Sequence, residues 1–305
     1  MTDERQTPAR AASLWGRLWL QEDLNFLLTN RIPRRWATLF MGWYSRIDSP
    51  RLTRLTLRLW RLFADDLDLS EARSREFRSL RELFIRELRP GARPIDPDPD
   101  VVVSPCDAVV GAFGQIRGTE LIQAKGFPYT LMDLLGERPL VDRYRDGLYV
   151  TLRLRSSMYH RFHAPCDARL REVLYISGDT WNVNPIALRR VERLFCKNER
   201  AVLDLRLPEP DRAIALVPVA AILVASIQLH CLAQVLDLRY RGQHRIPCDA
   251  GFTRGQELGY FQSGSTILMF ASGPYRLCDG ITEGRAIRVG QPLLRVQTPP
   301  GGPDV

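Results

Sequence analysis

The period of the hydrophobic pattern changes near Pro90. On its N-terminal side, apolar residues recur every three or four positions, and in segment 51–63 leucines and arginines form two neighbouring stripes. The leucines are Leu52, Leu55, Leu59 and Leu62, and the arginines are Arg51, Arg54, Arg58 and Arg61. Such spacing is typical of amphipathic helices. We therefore predict that residues 12–88 are helical.

A proline-rich linker, residues 89–100, follows and cannot be helical, because proline lacks a backbone N–H and restricts the residue before it. Beyond the linker, short β-branched runs alternate with Gly, Pro and Asp. They predict strands at 101–103, 148–152, 201–203, 213–217 and 266–270. Short helices are predicted at 130–135 and 186–193. The pattern predicts an α+β fold: an N-terminal amphipathic helical region, 1–89, then a mostly antiparallel, β-sandwich or barrel-like domain, 90–305.

The longest uncharged run, residues 213–236, is long enough to cross a membrane as a helix. However, it contains Pro218, Gln228 and His230 together with many β-branched residues. Two buried strands joined by a bend explain this composition better than one helix does. We predict core strands here rather than a membrane span.

Tryptophan and positive charge are concentrated in the helical region. Five of the six tryptophans precede the linker: Trp15, Trp19, Trp36, Trp43 and Trp60. Arginine with tryptophan on amphipathic helices is typical of segments that lie in a membrane interface. A helical cap on the protein's own core explains the same pattern, and the sequence leaves both interpretations open. The net charge of +8 favours a polyanionic partner, either an acidic membrane surface or nucleic acid.

The six cysteines form no C-x-x-C pair and have no zinc-ligand spacing with histidine. They indicate free thiols in a reducing compartment, and no metal site is predicted. The N-terminus lacks the basic start of a secretory signal. The sequence contains no G-x-S-x-G elbow, P-loop or G-x-G-x-x-G motif, so ordinary α/β-hydrolase, nucleotide-hydrolase and Rossmann interpretations have no support.

The tripeptide Gly264-Ser265-Thr266 precedes an apolar strand and is a candidate for self-cleavage. Glycine adopts backbone angles that other residues avoid, and strained peptide bonds gather at reactive sites. A serine hydroxyl needs a base, and His160 and His163 lie three residues apart. An ordinary turn and two buried, hydrogen-bonded histidines explain the same residues without any chemistry.

The tetrapeptide Pro-Cys-Asp-Ala occurs three times, at 105–108, 165–168 and 247–250. Each copy lies where a predicted strand meets a turn. Either all three are similar turns in which Asp bonds its own backbone, or one Asp is a catalytic acid. Because the copies are identical, the tetrapeptide does not decide which.

Ordered motifs extend over most of the chain. They are Phe84-Ile-Arg-Glu-Leu-Arg-Pro-Gly-Ala-Arg-Pro-Ile-Asp96, Ser104-Pro-Cys-Asp107, Lys125-Gly-Phe-Pro-Tyr-Thr-Leu131, Tyr159-His-Arg-Phe-His-Ala-Pro165, Asn182-Val-Asn-Pro185, Leu194-Phe-Cys-Lys-Asn-Glu-Arg200, Leu216-Val-Pro-Val-Ala220 and Gly255-Gln-Glu-Leu-Gly-Tyr-Phe-Gln-Ser-Gly-Ser-Thr266. In these motifs the chain resembles the phosphatidylserine decarboxylases, enzymes that form their own pyruvoyl cofactor by self-cleavage. Such a series is far more specific than any single motif.

The resemblance implies a maturation mechanism. Asp107 orients His163, and His163 activates Ser265 to attack the carbonyl of Gly264, which converts the peptide bond into an ester. Elimination and hydrolysis then leave a pyruvoyl group at position 265 and release ammonia. The two products, 1–264 and 265–305, are expected to stay associated as a heterodimer, and assembly into a higher oligomer is left open.

The resemblance also implies the reaction. The amine of phosphatidylserine forms a Schiff base with the pyruvoyl group from Ser265, which accepts the electron pair released with carbon dioxide and yields phosphatidylethanolamine. His160 is placed beside this step, as proton donor or substrate contact. Because the substrate is a lipid, we expect peripheral binding without a span, at the cytoplasmic face of the cell membrane, and no nucleic-acid partner.

Two departures and several alternatives accompany this assignment. Ala108 stands where the family usually has glycine, and Ser263 stands where an apolar residue is common. Another serine-headed lipid or a soluble amino acid is the alternative substrate. A pyridoxal-phosphate enzyme would need Lys125 or Lys197, the only lysines in the chain. A nucleic-acid-binding module and a non-catalytic paralogue are the remaining classes.

Overall fold

The computed structural model describes residues 32–62, 66–122, 128–223, 226–262 and 265–297. The helices are α1 (Arg34–Tyr44), α2 (Pro50–Arg61), α3 (Leu80–Phe84), α4 (Leu131–Leu135), α5 (Arg138–Tyr144), α6 (Pro185–Arg190) and α7 (Leu194–Lys197). The strands are β1 (Val101–Val103), β2 (Ala108–Gln115), β3 (Glu120–Ile122), β4 (Pro128–Thr130), β5 (Leu148–Leu154), β6 (Arg161–His163), β7 (Ala168–Ile176), β8 (Arg200–Arg206), β9 (Ala213–Val219), β10 (Ser226–Leu229), β11 (Leu236–Asp237), β12 (Arg245–Phe252), β13 (Glu257–Phe261), β14 (Ser265–Ser272), β15 (Tyr275–Leu277), β16 (Ala286–Ile287) and β17 (Pro292–Val296).

The amphipathic helix predicted from the leucine and arginine stripes is α2. The side chain of Ser49 caps it by accepting a hydrogen bond from the backbone of Leu52, and Pro50 occupies its first turn. Its buried side is anchored by Thr53, whose hydroxyl donates to the carbonyl of Arg78 at 3.2 Å. The leucines and arginines of the two stripes are left at the surface or half-buried.

The helical prediction for 12–88 is only partly met. Residues 12–31, with Trp15 and Trp19, lie outside the described residues. Segment 66–79 forms turns and an isolated bridge between Ala72 and Leu88 instead of helix. There the carboxylate of Asp68 accepts from the backbone of Ser70 at 2.8 Å, so local side-chain bonding competes with helix formation.

An eight-stranded antiparallel sheet forms the centre of the molecule, in the order β12-β7-β8-β9-β14-β5-β2-β16. The run 213–236 contributes β9 and β10, so the prediction of core strands is confirmed. No helix in the described ranges is both long enough and apolar enough to cross a bilayer. Strand β14 lies between β5 and β9, and its residues 265–271 are all buried.

The two faces of this sheet are covered differently. A four-stranded sheet, β11-β10-β13-β6, packs on one face through residues such as Phe162 and Phe261. Helices α4 to α7 pack on the other, where Phe195 and Leu134 join Phe270 of β14 in one apolar cluster. The α+β class and the mostly antiparallel sandwich are therefore confirmed. In the described strands, β12 and β16 are the sheet's open edges, so it is not a closed barrel.

Candidate active site

Ser265 is the first residue of the central strand β14 and pairs with Leu154 of β5. It is 1% exposed, and its hydroxyl has no hydrogen-bond partner among the described atoms. Buried polar atoms are usually paired, so an unpaired hydroxyl calls for an explanation such as a reactive role. The two preceding residues, Ser263 and Gly264, lie outside the described residues.

His160 is anchored next to the strand that pairs with Ser265. Its Nε2 lies 3.0 Å from the carbonyl oxygen of Arg155, which follows Leu154, and its Nδ1 lies 3.4 Å from the carbonyl oxygen of Phe84. Burial, together with the charge of Arg86, lowers the pKa of His160 to about 4. The ring is therefore neutral at pH 7 and has one N–H, which the shorter contact to Arg155 assigns to Nε2.

His163 ends β6, directly across from Glu257 of β13. Its Nδ1 lies 2.9 Å from the carbonyl oxygen of Gly255, and its Nε2 lies 3.1 Å from the hydroxyl of Tyr159. A carbonyl only accepts, so Nδ1 carries the proton and Nε2 accepts from Tyr159. Burial lowers the pKa of His163, and the ring is thus held in the neutral tautomer that a general base requires.

Asp107 is buried, and its main partner is an arginine. Arg93 Nε donates to the carboxylate at 2.8 Å, and the backbone N–H of Val289 donates at 2.9 Å. The same guanidinium donates to Glu71 at 2.8 Å and lies 5.9 Å from the ring centroid of Tyr159. Among the described contacts, Asp107 reaches His163 through Arg93 and Tyr159 rather than by a direct hydrogen bond.

The structure separates the three Pro-Cys-Asp-Ala copies. Asp167 is exposed and accepts from the backbone of Arg254 at 2.7 Å. Asp249 is exposed, has a left-handed φ of 47° and pairs with Arg169. Asp107 alone is buried, so identical tetrapeptides have different environments because different strands cover them. The preference for Asp107 came from the resemblance.

Two residues that the sequence analysis did not single out complete the site. Arg93 lies in the segment we interpreted as a linker, and its side chain is 11% exposed between two carboxylates. Tyr159 adjoins His160 in sequence, but its hydroxyl bonds His163. The only signal for either was membership in the ordered motifs. Of the departures, Ala108 is fully buried in the core, where its methyl group is accommodated.

A neighbouring network surrounds Glu257. Its carboxylate accepts from Arg161 Nη1 at 2.7 Å and contacts Nε2 of His230 at 2.6 Å. Because Glu257 also lies across the strands from His163, its charge favours the protonated imidazole, although burial outweighs this effect. In the described ranges, no group of three or more His, Cys, Asp or Glu side chains is arranged to hold a metal ion.

Comparison with known proteins identifies the family. Residues 80–295 match the family described as phosphatidylserine decarboxylase. A phosphatidylserine decarboxylase proenzyme of Erwinia tasmaniensis is 32% identical over 277 residues, 87% of this chain and 92% of the relative. The proenzyme of Klebsiella pneumoniae is 33% identical over 89% of this chain and 88% of its own, and that of Escherichia coli strain HS is 34% identical over 86% and 84%. The chain therefore belongs to the phosphatidylserine decarboxylase family.

Proposed function

We propose that this protein decarboxylates phosphatidylserine to phosphatidylethanolamine with a pyruvoyl group made from Ser265 by cleavage of the Gly264–Ser265 bond. Membership in the family, and the fact that its relatives are named proenzymes, support this proposal. The observation that carries it is the buried, unpaired hydroxyl of Ser265 at the start of β14. When present, the pyruvoyl carbonyl supplies the electron sink for the pair released with carbon dioxide.

The maturation step uses groups that the chain itself holds. His163 takes the proton of the Ser265 hydroxyl, whose oxygen attacks the Gly264 carbonyl, and the peptide nitrogen leaves as a protonated amine to give an ester. Loss of the Cα proton then expels the Gly264 carboxylate, and water replaces the nitrogen as ammonia. Nε2 of His163 accepts a hydrogen bond from the Tyr159 hydroxyl. The Tyr159 hydroxyl must therefore move aside before Nε2 can take the proton of Ser265.

The short product is expected to stay in place after cleavage. Residues 266–271 form hydrogen-bonded pairs with both β5 and β9. Ile267, Leu268 and Phe270 are fully buried, and each would expose its whole side chain if the chains separated. This packing supports a stable heterodimer of 1–264 and 265–305.

The exposed faces of α1 and α2 favour the membrane interpretation that the sequence left open. Trp36 is 76% exposed and Phe40 and Trp43 are each 61% exposed on α1, and Leu55, Leu59 and Leu62 of the leucine stripe are also exposed. Exposed large apolar side chains in such number mark an interaction site, and the arginine stripe of α2 matches anionic headgroups. We propose peripheral docking of this surface on the cytoplasmic face of the cell membrane.

Intact mass of the denatured, purified protein tests the proposal. We expect two chains divided between residues 264 and 265, a carbonyl-reactive short chain, and release of carbon dioxide from phosphatidylserine vesicles. Ser265→Ala should give one uncut, inactive chain, whereas Ser272→Ala, at the other end of β14, should be cleaved normally. An uncut wild-type chain would refute the maturation proposal, and a cut enzyme that acts only on free serine would refute the substrate.

A further inference from the structure

A cavity of about 140 Å³ lies under the C-terminal half of α1, against the ends of β10 and β13. Its lining includes Trp43, Arg46, Ser226, Asp237, Arg239 and Gln262. Gln262 is three residues before Ser265 in the chain. Since Ile227 pairs with Phe261, the same register places Ser226 opposite Gln262. The cavity therefore lies at the C-terminal end of β13, three residues before β14 in the chain.

Two buried polar atoms in this lining have no partner among the described atoms. Gln262 is 4% exposed and Ser226 is 7% exposed, and neither the Gln262 Nε2 nor the Ser226 Oγ is hydrogen-bonded there. A buried unpaired donor destabilises the fold, and folded proteins rarely leave one without a reason. Both groups donate, so a ligand with acceptor oxygens fits the inner end of the cavity.

The cavity changes character towards its mouth. Arg46 and Arg239 also line it, and they outnumber Asp237, whose carboxylate accepts from the backbone N–H of Arg239 at 2.8 Å. Trp43 belongs both to this lining and to the exposed aromatic face of α1. A ligand held here thus has neutral donors at the buried end of the cavity, exposed guanidinium groups farther out and a route to an apolar surface.

We propose that this cavity binds the headgroup of an anionic phospholipid, with Gln262 and Ser226 on the serine carboxylate and Arg46 and Arg239 on the phosphodiester. This inference rests on the proposed function. The carboxylate is bonded to the reacting carbon, so it must lie at the inner end, and the phosphodiester lies nearer the mouth. Neutral donors suit a carboxylate whose charge disappears, because a guanidinium there would stabilise the ground state more than the transition state.

The test compares two soluble headgroup analogues as inhibitors of the mature enzyme acting on short-chain, monomeric phosphatidylserine. In Gln262→Leu, and more weakly in Ser226→Ala, the inhibition constant of glycerophosphoserine should rise roughly 10- to 100-fold. That of glycerophosphoethanolamine, which lacks the carboxylate, should change less than twofold. Arg239→Gln should weaken both analogues. Gln228→Leu, on the same strand as Ser226, and Arg276→Gln, on β15, are the matched controls.

Direct binding separates this inference from the proposed function. Calorimetric titration of glycerophosphoserine into uncut Ser265→Ala protein, with and without Gln262→Leu, measures the site even where a variant fails to mature or the wild type is inactive. Loss of binding in the double variant supports the headgroup site whatever the activity. Unchanged affinity for glycerophosphoserine in Gln262→Leu and Ser226→Ala, or equal binding of inorganic phosphate, would overturn it.

Discussion

Replacing Glu199 by glutamine should remove a pH-dependent loss of stability. Glu199 lies immediately before β8 and is 3% exposed. Its Oε1 accepts a hydrogen bond from the hydroxyl of Tyr175, and its Oε2 has no partner among the described atoms. Burial, and next the charge of Asp237, raise the pKa of Glu199 to about 7, although the Tyr175 hydroxyl, Arg35 and Arg241 act in the opposite direction.

The magnitude follows from linkage between protonation and folding. The ordinary value is 4.5, so the pKa of Glu199 rises by about 2.5 units on folding, or roughly 3 kcal/mol at 1.36 kcal/mol per unit. Because the folded state holds the proton more tightly, this stability is complete below pH 4.5. It is lost as the pH rises towards 7, and most of the loss falls between pH 5 and 8.

Urea denaturation at pH 5 and pH 8, in the uncut Ser265→Ala background, measures this effect. The free energy of unfolding of the parent should fall by roughly 2–3 kcal/mol more than that of Glu199→Gln between the two pH values. Every other titratable group is present in both proteins, so the comparison isolates the effect of Glu199. Glu192→Gln, at an exposed site, should behave as the parent does. Equal pH dependence in the parent and Glu199→Gln would show that Glu199 is ionised in the folded protein.

Four further outcomes are expected. Arg93→Ala should leave Asp107 and Glu71 without their shared cation and lower the free energy of unfolding by about 3–5 kcal/mol in urea titrations. Arg93→Lys should recover only part of this loss, since lysine lacks the bidentate fork. An unchanged urea midpoint in Arg93→Ala would contradict this. Tyr159→Phe frees Nε2 of His163, so the newly made chain should be cleaved at least as fast as in wild type, as measured on denaturing gels. A tenfold slower reaction would instead make Tyr159 a proton relay. The cleavage rate should rise with pH to a plateau, with an apparent pKa below 6.5. The reason is that burial lowers the pKa of His163 and only the neutral imidazole acts as a base. A midpoint above pH 7 would argue for another base. Trp36→Ser with Phe40→Ser should weaken flotation with anionic vesicles by at least roughly 100-fold, at about 1.5–3 kcal/mol per large apolar side chain. Met132→Ser, exposed elsewhere, should not weaken it.

The sequence correctly predicted the helices and strands whose signals come from neighbouring residues. The predicted strands at 101–103 and 213–217, and the helix at 130–135, are present within one or two residues, since alternating β-branched residues and the Thr130 cap act over short distances. The prediction of helix over 66–79 was wrong. The apolar residues there are spaced to pack against α3, since Ala72 and Phe77 join Leu83 in one small cluster, and they do not form one face of a helix.

The same contrast between local sequence patterns and long-range packing applies to the candidate site. The family motifs pointed to Ser265, His160, His163 and Asp107 as a set, and those residues stay a proposal that the experiments above decide. The partners of each side chain could not be predicted. Arg93 reaches Asp107 from 14 residues away, and the carbonyl of Gly255 meets His163 from 92 residues away. Such contacts depend on how the linker and β13 pack, which no local pattern encodes.

The sequence by itself determined the alternation of apolar and polar positions, the helical stripe of α2 and the order of chemically distinctive motifs, because these follow from neighbouring residues. Only the tertiary structure decided which of three identical tetrapeptides is buried, which nitrogen of His163 carries the proton, and that two unpaired donors, on Ser226 and Gln262, line one cavity. Burial and hydrogen-bond partnership are properties of surfaces that meet across long stretches of chain, and it is these that set pKa values and leave polar atoms unpaired.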